Sequence, residues 1–252
     1  NNMAVTIKSE REIELMREAG KILAKTHNEL EKALKPGMTT WDIDHLGEEI
    51  IRSYGCIPSF KNYCGYPASI CVSVNQEVVH GIPDKHRIIQ EGDIVSLDAG
   101  VIYKGYHSDA ARTHAVGEVS EEAKKLIQVT KESFFEGIKF AKAGNHLFDI
   151  SGAIGRYAEE RGYGVVRDLC GHGIGTALHE APEIPNYEVG RKGVRLRPGM
   201  TLAIEPMINI GTHEVDWLDD DWTVVTRDGS LSAHYENTIL VTDGEPEILS
   251  LN

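Results

Sequence analysis

The chain has 252 residues and a formal net charge of −13 at pH 7, because 39 acidic residues face only 26 basic ones. This length allows one large domain or two fused halves with a sizeable core. The acidic balance argues against nucleic acid as the main ligand, since a protein that binds the phosphate backbone needs a basic face. The sequence shows neither a membrane-spanning apolar run nor a signal peptide, so we expect a soluble, cytoplasmic protein that makes no membrane contact.

Two amphipathic helices are predicted at the start of the chain. Ser9 and Glu12 have the spacing of a capping box, which predicts a helix that begins there and is ended by Pro36 and Gly37. The apolar residues of 39–55 recur at helical period, which predicts a second helix.

Strands follow these helices, and the order then repeats. Residues 69–75 alternate apolar and polar side chains, which predicts a strand, and residues 92–101 predict another. Further on, residues 120–144 and 146–164 predict two more helices before a second run of strands. The order of helices followed by strands therefore occurs twice.

An internal repeat supports this division. KPGMTTWDI at 35–43 matches KAGNHLFDI at 142–150, which is an offset of 107 residues. The same offset places GDIVSLDA over GMTLAIEP, and so pairs Asp98 with Glu205, each at the end of an apolar strand. We infer two similar halves that face each other within one fold.

The segment SLDAGVIYKGYHSDAART carries two acidic residues, Asp98 and Asp109, within an otherwise strand-like pattern. An ionised carboxylate removed from water costs several kcal/mol unless it is paired or binds a metal, and the strand around Asp98 offers no lysine or arginine. A tight turn at Lys104 and Gly105 would fold the segment back on itself and bring the two carboxylates together. A bound cation is therefore the expected partner.

Three further positions, His172, Glu205 and Glu236, complete a candidate metal site. Four carboxylates and one imidazole suit Mn(II), Fe(II), Co(II) or Zn(II) better than a thiolate zinc site would. Four converging negative charges would repel one another, whereas two divalent cations would neutralise them, so we expect a dinuclear centre with bridging carboxylates. Motifs for a dinucleotide loop, a nucleophilic serine or a P-loop are absent from the sequence.

Five segments resemble the methionine aminopeptidases in order and spacing, specifically type I, the short bacterial form: VNQEVVHGIPD, SLDAGVIYKGYHSDAART, GHGIGTALHEAP, GMTLAIEPM and SAHYENTILVT. The resemblance implies an α/β (α+β) pita-bread (creatinase/aminopeptidase) fold, in which two pseudo-symmetric halves pack helices outside a curved antiparallel sheet. We expect a single catalytic domain over residues 3–252, with halves of about 3–115 and 116–252. We expect residues 1–2 to be extraneous to the natural chain.

The resemblance also implies an activity and a ligand set. The implied reaction removes the N-terminal methionine from nascent polypeptides when the second residue is small, by attack of a metal-bridging hydroxide on the peptide carbonyl. Asp98 resembles the terminal chelator of one ion, His172 and Glu205 the ligands of the other, and Asp109 and Glu236 the bridges. The implied cofactors are two divalent ions of cobalt, manganese, iron or zinc.

Other residues are assigned roles by the same resemblance. Glu205 is the implied proton shuttle, His179 the group that stabilises the tetrahedral oxyanion, and His80 the group that contacts the scissile amide nitrogen. We expect His107 to orient a carboxylate. The implied methionine pocket is lined by Tyr63, Tyr66, Cys71 and Trp222, beside His80 and His179.

Three positions depart from the commoner residues of the family: Phe60, Leu178 and Asn237. We expect the first two to alter the pocket wall, and we expect activity to survive all three. The resemblance implies a monomer that acts on nascent chains, with the ribosome as a candidate partner.

Two alternative functions stay open at this point. The nearer is a proline-directed aminopeptidase or dipeptidase of the same fold, which shares the ligand set but usually carries an extra N-terminal domain that we do not expect here. The more distant is a non-catalytic pita-bread module that recruits polypeptide or nucleic acid, and such modules tend to lose the ligands.

Overall fold

The computed structural model of the protein describes residues 4–252, so the prediction for residues 1–2 lies outside the described residues. No helix in this range has an apolar stretch long enough to cross a membrane. The described helices are α1 (Glu10–Ala33), α2 (Thr40–Ser53), α3 (Glu121–Ile138) and α4 (Leu147–Glu160), with a short 3₁₀ turn at Tyr63–Gly65.

The strands pair antiparallel throughout the described range and form four sheets, with the orders β1-β4-β2 (β5 also pairs with β4), β13-β10-β6, β11-β12-β3 and β15-β14-β9-β7-β8. Their bounds are β1 (Ile57–Pro58), β2 (Cys71–Val74), β3 (Glu77–Val79), β4 (Ile94–Tyr103), β5 (Tyr106–Ala115), β6 (Gly164–Val165), β7 (Gly171–Gly173), β8 (Glu180–Ile184), β9 (Thr201–Ile204), β10 (Met207–Asn209), β11 (Val215–Trp217), β12 (Val224–Thr226), β13 (Ser232–His234), β14 (Asn237–Leu240) and β15 (Glu247–Ile248).

Side-chain caps begin the first two helices. Ser9 accepts a hydrogen bond from the Glu12 backbone, and the Glu12 side chain accepts one from Ser9, so the predicted capping box is confirmed. Thr39 and Asp42 make the same reciprocal pair at the start of α2. Each pair satisfies two backbone N–H groups that have no partner within the helix.

The longest strands, β4 and β5, form the hairpin that the sequence predicts. Tyr103 pairs with Tyr106, which leaves Lys104 and Gly105 as a two-residue turn. Their φ angles are 48° and 88°. A positive φ at both central residues is the geometry that matches the right-handed twist of a hairpin, and glycine adopts it without steric cost.

The 107-residue repeat is visible in the backbone. Helix α2 begins at Thr40 and α4 at Leu147, and strands β4 and β9 begin at positions separated by the same offset. Before these helices, Gly37 and Gly144 both have φ of 94°. Each donates its N–H to a carbonyl at an equivalent position, Ile89 in the first half and Leu196 in the second. The boundary between the halves near residue 115 stays a prediction.

The helices pack on one face of the sheets, and the candidate metal site lies on the opposite face. Apolar side chains of α1 and α2 pack against β4 in one buried cluster, which includes Leu23, Ile51 and Leu97. In the second half, α3 and α4 pack against β9 in the same way, with Phe134 and Ile154 fully buried. These two cores fix the strands whose opposite faces carry the acidic residues.

Candidate active site

Strands, or the residues that directly follow them, carry all five of the predicted metal ligands. Their positions are Asp98 on β4, Asp109 on β5, His172 on β7, Glu205 after β9, and Glu236 between β13 and β14.

The β4–β5 register places the two aspartates on one face of the hairpin. Asp98 lies opposite Ala111, and Asp109 lies opposite Gly100, so the two acids are diagonal neighbours. Both line the same cavity. The sequence-based prediction that the hairpin brings them together is confirmed.

Glu236 joins the two halves at the centre. Its backbone exchanges two hydrogen bonds with Ala111, at 3.0 and 3.1 Å, and so links the hairpin to the second half. Nearby, the Thr238 hydroxyl accepts a hydrogen bond from the Asp109 N–H and donates one to the Asp109 carbonyl, at 2.9 and 2.8 Å. These contacts hold the two proposed bridging acids, Asp109 and Glu236, side by side.

His172 lies at the centre of one group of possible ligands. Its Nε2 is 3.2 Å from Glu205 Oε2, 3.5 Å from Asp109 Oδ2 and 3.9 Å from Glu236 Oε2. Its other ring nitrogen, Nδ1, lies 2.8 Å from the carbonyl of Gly173. Donation from Nδ1 to this carbonyl orients the ring so that Nε2 faces the carboxylates, the position from which it could bind a metal.

A second group of possible ligands contains a residue that the sequence analysis missed. Asp98, Glu236 and His234 offer atoms that all lie within 4.8 Å of one another. His234 is 1% exposed, and its Nε2 is 3.3 Å from Glu205 Oε1. Its position two residues before Glu236 in a strand-like stretch was the available signal, because alternate residues of a strand share a face.

The charges of this cluster are not balanced by lysine or arginine, because none within residues 4–252 forms an ion pair with any of its four carboxylates. Buried atoms without a hydrogen-bond partner include Asp98 Oδ1, Asp109 Oδ1, His172 Nε2 and both carboxylate oxygens of Glu236. Burial and the neighbouring acids raise the pKa of Asp98 and of Glu236 well above the ordinary values. Unpaired buried oxygen and nitrogen atoms of this kind fit divalent cations.

The pKa values of Glu205 and His172 are shifted by each other and by their other charged neighbours. Burial alone would raise the pKa of Glu205, but His172 and His234 lie beside it and lower that pKa below its ordinary value. Burial would likewise lower the pKa of His172, but Asp109 and Glu205 raise it to about 10. A cation that bound to Nε2 would have to displace this proton.

A cavity of about 120 Å³ opens beside the carboxylates. The Tyr66 and Trp222 rings meet edge to face within its wall, at 5.0 Å between centroids. Tyr66 donates its hydroxyl proton to the carbonyl of Ile70 at 3.0 Å, so its ring position is fixed. The cavity contains every predicted pocket residue and is lined by Phe60, Tyr63, Tyr66, Cys71, His80, Asp98, Asp109, Leu178, His179, Glu205 and Trp222.

Three histidines near the cavity have different surroundings. His179 lies 2.7 Å from the Tyr63 hydroxyl through Nδ1, and its ring meets that of His172 edge-on at 4.2 Å. His80 has a φ of 59°, and its burial lowers its pKa. Nδ1 of His107 lies 2.9 Å from Ser59 Oγ, and neither ring nitrogen pairs with a carboxylate among residues 4–252, so the predicted carboxylate contact of His107 is wrong.

Comparisons with known proteins agree with this geometry. A model of metallopeptidase family M24 matches residues 14–243. The chain is 60% identical over 247 residues to a methionine aminopeptidase of Clostridium acetobutylicum, a match that covers 98% of this chain and 99% of that protein. The chain belongs to the methionine aminopeptidases. It is therefore a metallopeptidase, and the predicted type I, short bacterial form is confirmed.

Solved structures confirm the pita-bread fold. A crystal structure of a methionine aminopeptidase from Thermotoga maritima matches with a TM-score of 0.97 and 48% identity, over 99% of this chain and 100% of that one. An Xaa-Pro dipeptidase from Bacillus anthracis matches with a TM-score of 0.78 and 28% identity, over 98% of this chain and 62% of that one.

The three departures from the commoner family residues lie in two places. Phe60 and Leu178 line the cavity, and their effect on its wall stays a prediction. Asn237 is fully buried outside the cavity, where its side-chain oxygen accepts hydrogen bonds from Arg112 at 2.7 Å and from Ser250 at 2.8 Å.

Proposed function

We propose that the protein removes the N-terminal methionine from nascent polypeptides whose second residue is small. The observation that carries this proposal is the convergence of four buried carboxylates and two imidazoles beside a narrow, aromatic-lined cavity. Family membership supports the same reaction.

The donor atoms fit two divalent cations of cobalt, manganese, iron or zinc. Asp109, His172, Glu205 and Glu236 would hold one ion. Asp98 would chelate the other, and Asp109 and Glu236 would bridge the pair. Divalent ions bound here would acidify a water molecule and polarise the peptide carbonyl, which supplies a nucleophile near neutral pH.

The side chains around the ions would carry the proton and the charge of the reaction. Glu205 shuttles a proton from the attacking water to the leaving amine, and its lowered pKa means that the group begins the reaction as an ionised carboxylate. In this proposal the Tyr63 hydroxyl, 2.7 Å from His179 Nδ1, donates to that nitrogen, and His179 donates from Nε2 to the oxyanion. His80, at the cavity wall, contacts the amide nitrogen of the scissile bond.

Substrate selection would follow from the same cavity. The acidic centre binds the free α-amine, and Tyr63, Tyr66, Cys71 and Trp222 surround the methionine side chain. Aromatic faces and a thiol suit a polarisable thioether. We infer that the enzyme acts in the cytoplasm as a monomer on chains that emerge from the ribosome.

The alternative functions are less well supported. A proline-directed peptidase would share the ligands, but the Xaa-Pro dipeptidase match has 28% identity, against 60% for a methionine aminopeptidase. A binding module without activity has no need for a complete set of buried donor atoms, and these atoms are costly to keep in the fold without a cation.

Hydrolysis by metal-stripped protein tests the proposal. Each of the four metals is titrated back, and the peptides Met-Ala-Ser, Met-Leu-Ser, N-acetylated Met-Ala-Ser and Ala-Pro are compared. We expect metal-dependent release of methionine from Met-Ala-Ser alone. Preferential cleavage of Ala-Pro would identify the protein as a proline-directed peptidase. If none of the four metals supported hydrolysis, the non-catalytic binding module would be favoured.

A further inference from the structure

His234 lies against the metal centre, although the family motifs give it no role. It ends β13, two residues before Glu236, and is almost completely buried. The Thr113 hydroxyl holds its backbone, since it accepts the His234 N–H and donates to the His234 carbonyl, both at 2.9 Å. The ring is therefore held at a fixed depth in the site.

The imidazoles of His172 and His234 both lie close to Glu205 and Glu236, but each imidazole is nearest to a different carboxylate oxygen of these residues. His172 Nε2 is closest to the Oε2 atoms, at 3.2 Å for Glu205 and 3.9 Å for Glu236. His234 Nε2 is closest to the Oε1 atoms of the same residues, at 3.3 and 4.0 Å. Each glutamate thus presents one oxygen to each ring.

The other ring nitrogen distinguishes the two histidines. Nδ1 of His172 is occupied by the Gly173 carbonyl, which leaves Nε2 as an acceptor for a cation. Nδ1 of His234 has no hydrogen-bond partner among residues 4–252. His234 borders a second cavity of about 270 Å³ that Glu31, Arg112 and Lys131 also line, and the Glu31 carboxylate there lies beside His114, at 3.9 Å from its Nδ1. Nε2 of His234 is buried, has no other hydrogen-bond partner among residues 4–252 and lies 3.3 Å from Glu205 Oε1, so this oxygen is the nearest acceptor for an Nε2–H.

We propose that His234 is a positioning residue that donates its Nε2–H to Glu205 Oε1. This inference rests on the proposed function, in which Glu205 and His172 would hold the same ion. With Oε1 held by the His234 imidazole, Oε2, which lies 3.2 Å from His172 Nε2, would be the oxygen left to hold an ion, and the carboxylate would be restrained from rotating. His234 acts on the reaction only through Glu205.

Two substitutions separate donation from coordination. His234→Gln keeps an N–H donor near the same reach, whereas His234→Leu fills similar space without a donor. We expect the leucine variant to lose roughly 10–100-fold in kcat for Met-Ala-Ser with little change in KM, and to bind cobalt about tenfold more weakly. We expect glutamine to restore both values and to keep the wild-type visible absorption of the cobalt protein.

His114→Gln is the matched control. His114 lines the same second cavity, but it lies on β5 beside Thr113, on the face that points away from Asp109. We expect its metal affinity, cobalt absorption and turnover to match wild type. Thermal unfolding of each metal-free variant confirms that it folds, and His234→Ala replaces the leucine variant if that one does not.

Two results would overturn the proposal. A leucine variant with wild-type affinity, spectrum and kcat would show that His234 positions nothing. A cobalt spectrum that shifts equally in the leucine and glutamine variants, with equal loss of affinity, would make His234 a metal ligand. If wild-type protein bound cobalt but did not cleave Met-Ala-Ser, the proposed function would fail, while affinity and absorption would still test His234.

Discussion

The two halves of the molecule share a backbone framework but supply different chemistry to the site. The first half contributes a long hairpin of two ten-residue strands, from which Asp98 and Asp109 project. The second half contributes short strands, one of which carries His172, while Glu205 directly follows β9 and Glu236 lies between β13 and β14. Only Asp98 and Glu205 occupy equivalent positions in the repeat. The repeat therefore preserves how helices and strands connect, whereas the side chains at the centre have diverged.

The largest expected effect comes from the equivalent pair of acids. Asp98→Asn and Glu205→Gln should each lower kcat by about a thousandfold or more, because each removes a charge that the metal centre needs. Their effects on the metal-free protein should differ. Asp98→Asn should stabilise it, since burial and neighbouring acids disfavour that ionised group, as its raised pKa indicates.

Glu205→Gln should instead destabilise the metal-free protein at neutral pH. The pKa of Glu205 is lowered by the two imidazoles, so its ionised form stabilises the fold above the unfolded pKa of about 4.3. Chemical denaturation in the presence of a chelator measures both variants. Equal stability changes would contradict the asymmetry between the halves, and wild-type turnover in either variant would refute the site.

Much of this framework could be predicted from the sequence, because local signals specify it. The Ser9–Glu12 capping box and the Lys104–Gly105 turn each depend on a few adjacent residues. The division into four sheets could not be predicted, since strand pairing between distant segments leaves no local pattern. His107 and His234 show the same limit at the site, where the partner of a buried ring depends on which distant strand faces it.

A smaller effect should come from the contact that crosses between the halves. Tyr63 lies in the first half between two residues with positive φ, Asn62 and Cys64, and its hydroxyl contacts Nδ1 of His179 in the second. Tyr63→Phe removes this hydroxyl, which in the proposed mechanism donates to Nδ1 and so leaves the His179 proton on Nε2. We expect kcat for Met-Ala-Ser to fall by about tenfold while KM changes little.

Tyr106→Phe is the matched control for Tyr63→Phe. It also removes a phenol hydroxyl, but this hydroxyl donates a hydrogen bond to Glu12 within the first half, and Tyr106 is not among the residues that line the cavity. Its kcat should stay at the wild-type value. A Tyr63→Phe variant that changes KM alone would assign Tyr63 to the methionine pocket and leave His179 without this partner.

Substitution of Gly37 and Gly144, which occupy equivalent positions in the repeat, tests whether the two halves have equal backbone strain at this point. Gly37 and Gly144 have the same φ of 94° and open space where an added methyl group would lie, so alanine at either should cost about 1 kcal/mol of stability through backbone strain alone. Gly199 has a similar φ, but an added Cβ would lie 2.8 Å from Ile7 Cγ2. Denaturation curves should therefore show similar losses for Gly37→Ala and Gly144→Ala and a larger loss for Gly199→Ala.

The smallest effect concerns a position where the two outer helices differ. The repeat offset places His27 of α1 over Phe134 of α3, and both are buried. Burial, together with the charge of Arg112 and the neighbouring His114, holds the pKa of His27 well below its usual value, and its Nε2 lies 2.8 Å from the Ala110 carbonyl. Below about pH 6.5 the unfolded chain takes up a proton that the folded protein excludes, so His27 lowers the free energy of unfolding as pH falls, by at most about 1.4 kcal/mol per pH unit. His27→Gln should reduce this acid sensitivity in urea denaturation between pH 8 and pH 5, and identical pH dependence in both proteins would show that His27 titrates normally inside the first half.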